Sequence, residues 1–182
     1  MAEVSLAGES WPRGRARHGG IDAVPVPGSS GTLWLCGKHY IAPDPSGAMA
    51  AVGAGRVVCL CERHELADRY PGYVEWLGSS ADAIWFPIAD LHAPAPTALL
   101  DLLAELRRLL GEGTSVIVHC GAGIGRAGTV AAALLMTLGI GRQEALGTVA
   151  AHRPMAGPEA GAQAELLDAL ERRGNDRAGG RG

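Results

Sequence analysis

The sequence has few aromatic residues, almost no lysine and no long apolar run. Aromatic residues make up 4% of the 182-residue chain, with a single Phe among them. Fifteen of its sixteen basic residues are Arg, and the remaining one is Lys38. The longest apolar stretch, residues 129–140, is far shorter than the ~20 residues of a membrane-spanning helix. We therefore expect no membrane segment, and we expect any specific cationic role to fall to a guanidinium.

The chain also lacks a strong net charge, a secretory signal and the usual spacing of zinc ligands. A net charge of −3 provides no general attraction to nucleic acid or to an anionic membrane. Residues 1–20 carry charged side chains in place of an apolar segment, which predicts a cytoplasmic protein. The four cysteines include no C-x-x-C pair, and this favours reduced thiols over a disulfide framework or a zinc site.

Strand-like and helix-like patterns alternate along most of the chain. Apolar runs predict strands at residues 33–36, 56–61, 83–86 and 115–119, and residues 39–41 are interpreted as one more. Helical spacing of apolar residues predicts helices at 97–110, 129–138, 142–151 and 158–173. The alternation predicts an α/β fold with a central, mainly parallel sheet flanked by helices.

The same patterns divide the chain into one domain with two loose ends. Residues 31–174 form the predicted domain. Residues 1–30, rich in Gly and Pro, are predicted to be a flexible N-terminal arm with Trp11 as its one anchor, and residues 175–182 a flexible tail. In such sheets function collects at the carboxyl ends of the strands, so the residues just after Cys61, Phe86 and His119 matter most.

A glycine-rich turn follows the strand that ends at His119. Residues 118–129 read VHCGAGIGRAGT. The glycines let the turn curl so that several backbone N–H groups point inward, and a helix that begins near Arg126 adds partial positive charge. The turn therefore predicts a cradle for a phosphate-sized anion. Its members are Gly121, Ala122, Gly123, Ile124 and Gly125.

Two reactive side chains flank this cradle. Helix N-termini and nearby cations favour the thiolate form of cysteine, so Cys120 is the predicted nucleophile. The fork of Arg126 binds two phosphate oxygens, and its contacts strengthen as the phosphoryl group flattens in the transition state. We expect no metal and no organic cofactor, because Arg126 and the amides supply the positive field.

The segment from His119 to Arg126 resembles the H-C-x5-R signature of the cysteine-based protein tyrosine and dual-specificity phosphatases. Residues 86–90 (FPIAD) resemble the acid loop of that group. The resemblance implies that Asp90 protonates the leaving oxygen and then activates water. Residues 58–66 are similar to the kinase-associated phosphatase branch, and the resemblance covers roughly residues 31–173.

The resemblance implies a phosphotyrosine phosphatase-like fold and hydrolysis through a cysteinyl-phosphate intermediate. The implied substrate is a phosphorylated protein or peptide that carries phosphotyrosine, with phosphoserine or phosphothreonine as further substrates. No segment resembles the phosphotyrosine-clamping loop of large tyrosine phosphatases, which leaves the selectivity open. We expect neither nucleic acid nor membrane as a partner, and the sequence leaves the oligomeric state undetermined.

Three residues receive supporting roles from the same resemblance. His119 orients the turn, and Thr129 matches the signature. Gln163, which follows the Arg153-Pro154 pair typical of the group, helps to position the hydrolytic water, although it equally fits an ordinary helix surface. Ala127 departs from the pattern, because many relatives have a Ser or Thr there whose hydroxyl helps to expel the thiolate. We therefore expect slow breakdown of the intermediate.

Other interpretations of these residues remain open. Residues 123–128 also spell the G-x-G-x-x-G dinucleotide motif, but no strand with an acidic end follows about 20 positions on. Asp90 also fits a plain turn residue. Cys61 is hypothesised to form a reversible disulfide with oxidised Cys120, the alternative being an inert strand thiol, and Cys59 is the fallback partner.

Two rival functions also remain. The first is the same chemistry on a phosphoinositide, an inositol phosphate or an RNA 5′-triphosphate, which the absence of Lys from residues 121–125 disfavours. The second is a pseudophosphatase that only binds phospho-ligands. The presence of Cys120, Arg126 and Asp90 together argues against the second rival.

Overall fold

The computed structural model describes residues 19–179, so Trp11 lies outside the described residues. One sheet contains all five strands of this range: β1 (Ile21–Val24), β2 (Leu33–Gly37), β3 (Ala54–Cys59), β4 (Ala83–Trp85) and β5 (Ser115–Cys120). Their order across the sheet is β1-β2-β5-β3-β4. β1 is antiparallel to β2, and the other neighbours are parallel. β5, the strand that leads into the glycine-rich turn, therefore lies at the centre.

Seven helices within the described range cover the two faces of this sheet. They are α1 (Lys38–Ile41), α2 (Pro45–Val52), α3 (Pro71–Ser79), α4 (Pro96–Gly111), α5 (Gly125–Thr137), α6 (Arg142–His152) and α7 (Gly161–Gly179). The first three helices pack on one face, and α4 to α7 pack on the other. The prediction of an α/β fold with a mainly parallel sheet between helices is confirmed. No helix within residues 19–179 is long and apolar enough to cross a membrane.

The burial of the elements follows from their residue patterns. In β5, Val116 and Val118 face the α4–α7 layer, whereas Ile117 faces the α1–α3 layer. A strand buried on both faces needs a continuous apolar run, and β5 has one. α4 buries one leucine stripe against the sheet, while α5 is apolar all round and is buried along most of its length.

The structure differs from the sequence predictions mainly at three places. Residues 39–41 belong to helix α1 instead of a strand, because the Lys38 N–H donates to the carbonyl of Gly121 and the chain leaves the sheet there. Residues 21–24, predicted to lie in the flexible arm, form the edge strand β1 and bury Ile21 and Val24. α7 continues to Gly179, five residues beyond the predicted end of the domain at residue 174.

Candidate active site

The turn after β5 directs its carbonyl oxygens away from its centre. The Gly121 carbonyl accepts from Lys38 N at 3.0 Å, and the Ile124 carbonyl accepts from two backbone N–H groups. Arg153 donates to the other two carbonyls, from Nη2 to Ala122 O at 2.8 Å and from Nε to Gly123 O at 2.7 Å. Among the backbone hydrogen bonds of residues 19–179, none is donated by the amides of residues 122–126. These amides are therefore available to an anion.

Close packing requires glycine at one position of the turn and at one position near the start of α5. Gly123 has φ +73°, and a Cβ there would lie 2.2 Å from the Cys36 carbonyl oxygen of β2. A Cβ at Gly128 would lie 2.2 Å from Gly157 N. Both obstacles are backbone atoms that cannot move aside, so the turn and the start of α5 approach their neighbours as only glycine permits.

Cys120 and Arg126 stand at the two ends of the turn, and both are nearly fully buried. Cys120 is the last residue of β5, and Arg126 lies in the first turn of α5. Burial works to lower the pKa of Arg126, but the hydrogen bonds to Glu65 and the neighbouring Cys120 raise it above its ordinary value. The guanidinium therefore stays charged beside the thiol at any working pH.

One edge of the Arg126 guanidinium is occupied by a carboxylate. Nη1 and Nη2 each donate to an oxygen of Glu65 at 2.8 Å, a bidentate pair, and Nη1 also donates to the Ile88 carbonyl at 2.8 Å. Within the described residues, no acceptor contacts Nε. The edge formed by Nε and Nη2 is therefore the one that remains for a phosphate.

Asp90 lies at that remaining edge. Its Oδ1 is 3.1 Å from Arg126 Nη2, and its side chain is 67% exposed. The next residue, Leu91, has φ +61° and is exposed, so the chain turns sharply just after the carboxylate. Asp90 thus reaches the cradle from a solvent-facing loop and not as part of a strand or helix.

The residues predicted to support the site have defined partners. His119 is fully buried, and its Nε2 lies 2.6 Å from the hydroxyl of Tyr73 on α3. The Thr129 hydroxyl donates to the Gly125 carbonyl at 2.7 Å, one helical turn back. Gln163 is 1% exposed, so it is not a helix-surface residue. Its amide accepts from Glu159 N and donates to the His92 carbonyl, joining α7 to the loop that carries Asp90.

Sequence reasoning did not assign a role to Glu65, Tyr73 or Asp22. Glu65 ends the 3-10 turn after Glu62, and the two glutamates form a reciprocal capping box. That spacing was the one local signal for an ordered turn near Arg126. Arg153, noted in the sequence only through its resemblance, is buried and pairs with Asp22 of β1 at 2.7 Å. No local sequence pattern predicts the pair of Arg153 and Asp22, because the two residues are 131 positions apart.

Cys61 lies on the other side of the sheet from Cys120. Cys61 packs with the α1–α3 layer, whereas Cys120 packs with the α4–α7 layer. The Cys61 sulfur lies within 4.8 Å of the Cys59 sulfur and of a ring nitrogen of His119. Cys61 therefore shares its buried surroundings with Cys59.

The central sheet leads into a turn whose amides form an anion cradle, and a cysteine and an arginine stand at the two ends of that turn. This arrangement is typical of the cysteine-dependent phosphatases. Residues 39–172 match the family model described as "PTP-SAK: Swiss Army Knife protein, DSP-PTPase phosphatase domain". The chain belongs to this family of dual-specificity-type phosphatases. It is therefore a hydrolase that acts on phosphate esters.

Solved structures show the same fold. Tk-PTP in its active form is 31% identical, with 83% of this chain and 97% of that chain covered and a TM-score of 0.64. Kinase-associated phosphatase, crystallised with its catalytic cysteine replaced by serine, is 21% identical over 84% and 94% of the two chains, with a TM-score of 0.71. PTPMT1 in complex with PI(5)P is 19% identical over 83% and 96%, with a TM-score of 0.65. A search of curated protein sequences found no match.

Proposed function

We propose that the chain hydrolyses phosphotyrosine in proteins, and phosphoserine or phosphothreonine as well, through a cysteinyl-phosphate intermediate. The observation that carries the proposal is the arrangement around Arg126. Glu65 fixes one edge of the guanidinium, and Nη2 at the start of the other edge lies beside Gly121 of the turn and 3.1 Å from Asp90 Oδ1. A phosphate held there would lie between a thiol, a set of inward amides and a carboxyl group.

In the first step the Cys120 sulfur attacks phosphorus and the ester oxygen leaves. The phosphate oxygens bind the amides of residues 122–126 and the free edge of Arg126, which stabilises the charge of the transition state. Asp90 gives its proton to the leaving oxygen, so an alcohol or phenol departs instead of an alkoxide. For this, Asp90 releases Arg126 Nη2 to the phosphate and turns toward the ester oxygen.

In the second step water attacks the phosphocysteine. Asp90, now ionised, accepts a proton from the water, and the phosphorus–sulfur bond breaks to leave the Cys120 thiolate and inorganic phosphate. Gln163 holds the loop of Asp90 through the His92 carbonyl, and we assign it a role in placing that water.

The charge around the turn supports a phosphate monoester over a polyphosphorylated ligand. A polyanion needs several free cations close together. Of the cations that contact the turn, Arg126 is paired with Glu65 and Arg153 with Asp22, while the Lys38 ammonium donates to the Glu65 carbonyl at 2.9 Å. A single phosphate on a protein side chain suits this balance better than the headgroup of a phosphoinositide.

The catalytic proposal is tested with p-nitrophenyl phosphate and purified full-length chain. We expect turnover that is lost in Cys120→Ser, and a phosphate adduct on Cys120 after acid quenching and mass spectrometry of the unaltered chain. Cys36→Ser, which alters a buried thiol that no step of the mechanism uses, is the matched control. Turnover that persists in Cys120→Ser overturns the mechanism, and binding of a phosphotyrosine peptide without turnover supports the pseudophosphatase alternative.

The role of Asp90 is tested with Asp90→Asn. Loss of a general acid typically lowers the rate by about 10²–10⁴-fold, so we expect kcat on a phosphotyrosine peptide to fall in that range. The exposed Asp68→Asn serves as the control. A change of less than about threefold in Asp90→Asn would show that Asp90 is an ordinary turn residue.

Substrate class is tested by rates on matched substrates. We expect a higher kcat/KM on phosphotyrosine peptides than on phosphatidylinositol phosphates in vesicles or on RNA 5′-triphosphate. A preference for the vesicles would show that the same chemistry acts on a phosphoinositide. One structural neighbour, PTPMT1, was solved in complex with PI(5)P.

A further inference from the structure

The α1–α3 side of the sheet holds a cluster of side chains that take no direct part in the proposed reaction. The Cys59 sulfur, the Cys61 sulfur and a ring nitrogen of His119 all lie within 4.8 Å of one another. All three residues are fully buried. Cys59 and His119 are register partners in neighbouring parallel strands, and Cys61 follows two residues after Cys59, so its side chain returns to the same face.

Two thiols and an imidazole are ligands that Zn²⁺ prefers. Typical bond lengths of ~2.3 Å to sulfur and ~2.0 Å to nitrogen place the ligand atoms of a tetrahedral zinc about 3.5–3.8 Å apart. The present separations, each no greater than 4.8 Å, need small side-chain rotations to reach this range. We propose that Cys59, Cys61 and His119 form a binding site for a thiophilic divalent cation of the Zn²⁺ type.

The surroundings of His119 suit a metal ligand. Its Nδ1 lies 3.4 Å from the Cys120 carbonyl oxygen, and its Nε2 lies 2.6 Å from the Tyr73 hydroxyl. With Nδ1–H directed at that carbonyl, Nε2 carries the lone pair and accepts from Tyr73. A ligating histidine usually donates its other N–H to a carbonyl or carboxylate in this way. A cation bound at Nε2 would replace the hydrogen bond from the Tyr73 hydroxyl.

Zinc binding at this cluster requires both thiols to release their protons. The Cys59 thiol donates to the Cys61 carbonyl at 3.9 Å. The hydrogen bond with Cys59, together with burial, raises the pKa of the Cys61 thiol. Each thiol gives its proton to solvent when zinc binds.

A zinc ion bound at this cluster would affect the active site through His119. His119 directly precedes Cys120, and its ring faces the Cys120 carbonyl. A ring drawn toward a metal shifts the end of β5, where the nucleophile and the first residue of the turn sit. We expect zinc to inhibit the phosphatase slowly, because full burial of the ligands requires a local opening before the ion enters.

Zinc binding is measured directly in a Cys120→Ser background, which removes the active-site thiol as a competing ligand. We expect about one Zn²⁺ per metal-free, reduced chain by equilibrium dialysis with elemental analysis. Adding Cys36→Ser, a matched buried thiol outside the cluster, should leave this stoichiometry unchanged. Adding Cys59→Ser or Cys61→Ser should reduce it to less than about a tenth.

A second measurement does not depend on the stability of those variants. X-ray absorption of Zn²⁺ bound to the Cys120→Ser chain should show two sulfur neighbours and one imidazole nitrogen. A zinc shell without sulfur, or stoichiometric binding that disappears in Cys120→Ser alone, would overturn the proposal. The first result indicates an adventitious surface site, and the second indicates binding at the catalytic thiol.

Discussion

At the scale of single residues, the chemistry depends on how each polar group near Arg126 is paired. Glu65 holds one edge of the guanidinium, and the Ile88 carbonyl holds an outer N–H. These contacts leave one orientation for the Arg126 guanidinium. The conformational entropy of this side chain is therefore lost when the protein folds and not when the substrate binds. The same pairing makes the contribution of Glu65 to the stability of the fold depend on pH.

Burial works to raise the pKa of Glu65, but its hydrogen bonds with Arg126 and with the Glu62 backbone lower it below the ordinary value. The ionised carboxylate therefore stabilises the fold above its ordinary pKa, and that contribution is lost as pH falls through the lowered value. We expect urea unfolding of Glu65→Gln to show less loss of stability in acid than the unaltered chain. Its kcat/KM should fall by about 10²-fold at neutral pH, because the fork of Arg126 is misplaced.

Glu75→Gln is the matched control for Glu65, since Glu75 is exposed on α3. This control should retain both the acid dependence and the activity. Equal acid dependence in Glu65→Gln and in the unaltered chain would contradict the role assigned to Glu65.

Ala127 is fully buried in the first turn of α5, next to Arg126. Without a hydroxyl at this position, we expect hydrolysis of phosphocysteine to limit turnover of p-nitrophenyl phosphate and to produce a pre-steady-state burst. Ala127→Ser should raise kcat and reduce the burst. Ala131→Ser, one helical turn further along the same buried helix, should leave both unchanged. Absence of a burst in the unaltered chain would show that another step is limiting.

At the scale of elements, the ends of β3 and β5 bring several thiols near the turn. Cys59 is the last residue of β3, and Cys61 lies two residues further on; both pack in the α1–α3 layer, while Cys120 ends β5 in the α4–α7 layer. The strands are parallel neighbours, so their carboxyl ends reach the same edge of the sheet. The reversible disulfide between Cys61 and oxidised Cys120 therefore stays a hypothesis to be tested.

Mild peroxide should convert the Cys120 thiolate to a sulfenic acid, and attack by the Cys61 sulfur should then form a disulfide and release water. Peptide mapping should recover a Cys61–Cys120 bridge that a thiol reductant reverses, with activity regained. Cys36→Ser should form the same bridge. A Cys120 sulfinic acid without any bridge would count against the hypothesis, and a Cys59–Cys120 bridge would identify Cys59 as the partner.

At the scale of the whole molecule, Arg153 joins three distant parts of the fold. It donates to the turn carbonyls of Ala122 and Gly123 and pairs with Asp22 on the edge strand β1. β1 therefore supports the candidate active site, although it is far from the reacting atoms.

A cytoplasmic location remains a prediction from the sequence.

Replacing Arg153 removes the ion-pair partner of the largely buried Asp22 side chain and the donor to two turn carbonyls. We expect Arg153→Ala to lower the free energy of unfolding by about 3–5 kcal/mol and to weaken inhibition by vanadate, which occupies the cradle as a phosphate mimic. Arg56→Ala removes an exposed pair with Asp82 and should cost at most about 1 kcal/mol. Vanadate inhibition that is unchanged in Arg153→Ala, at a temperature where the variant is folded, would contradict the anchoring role.

Residue patterns along the chain were enough to predict the class of the fold, the central strand and the turn with Cys120 and Arg126 at its ends. These features are local, since a buried strand, four closely spaced glycines and a following helix are neighbours along the chain. Tertiary structure alone decided that Glu65 meets Arg126 from 61 positions away and that Asp22 meets Arg153. It also brought His119 to Cys59 and Cys61, and it placed residues 21–24 in the sheet. Such contacts depend on strand order and register, which residue patterns within one segment do not specify.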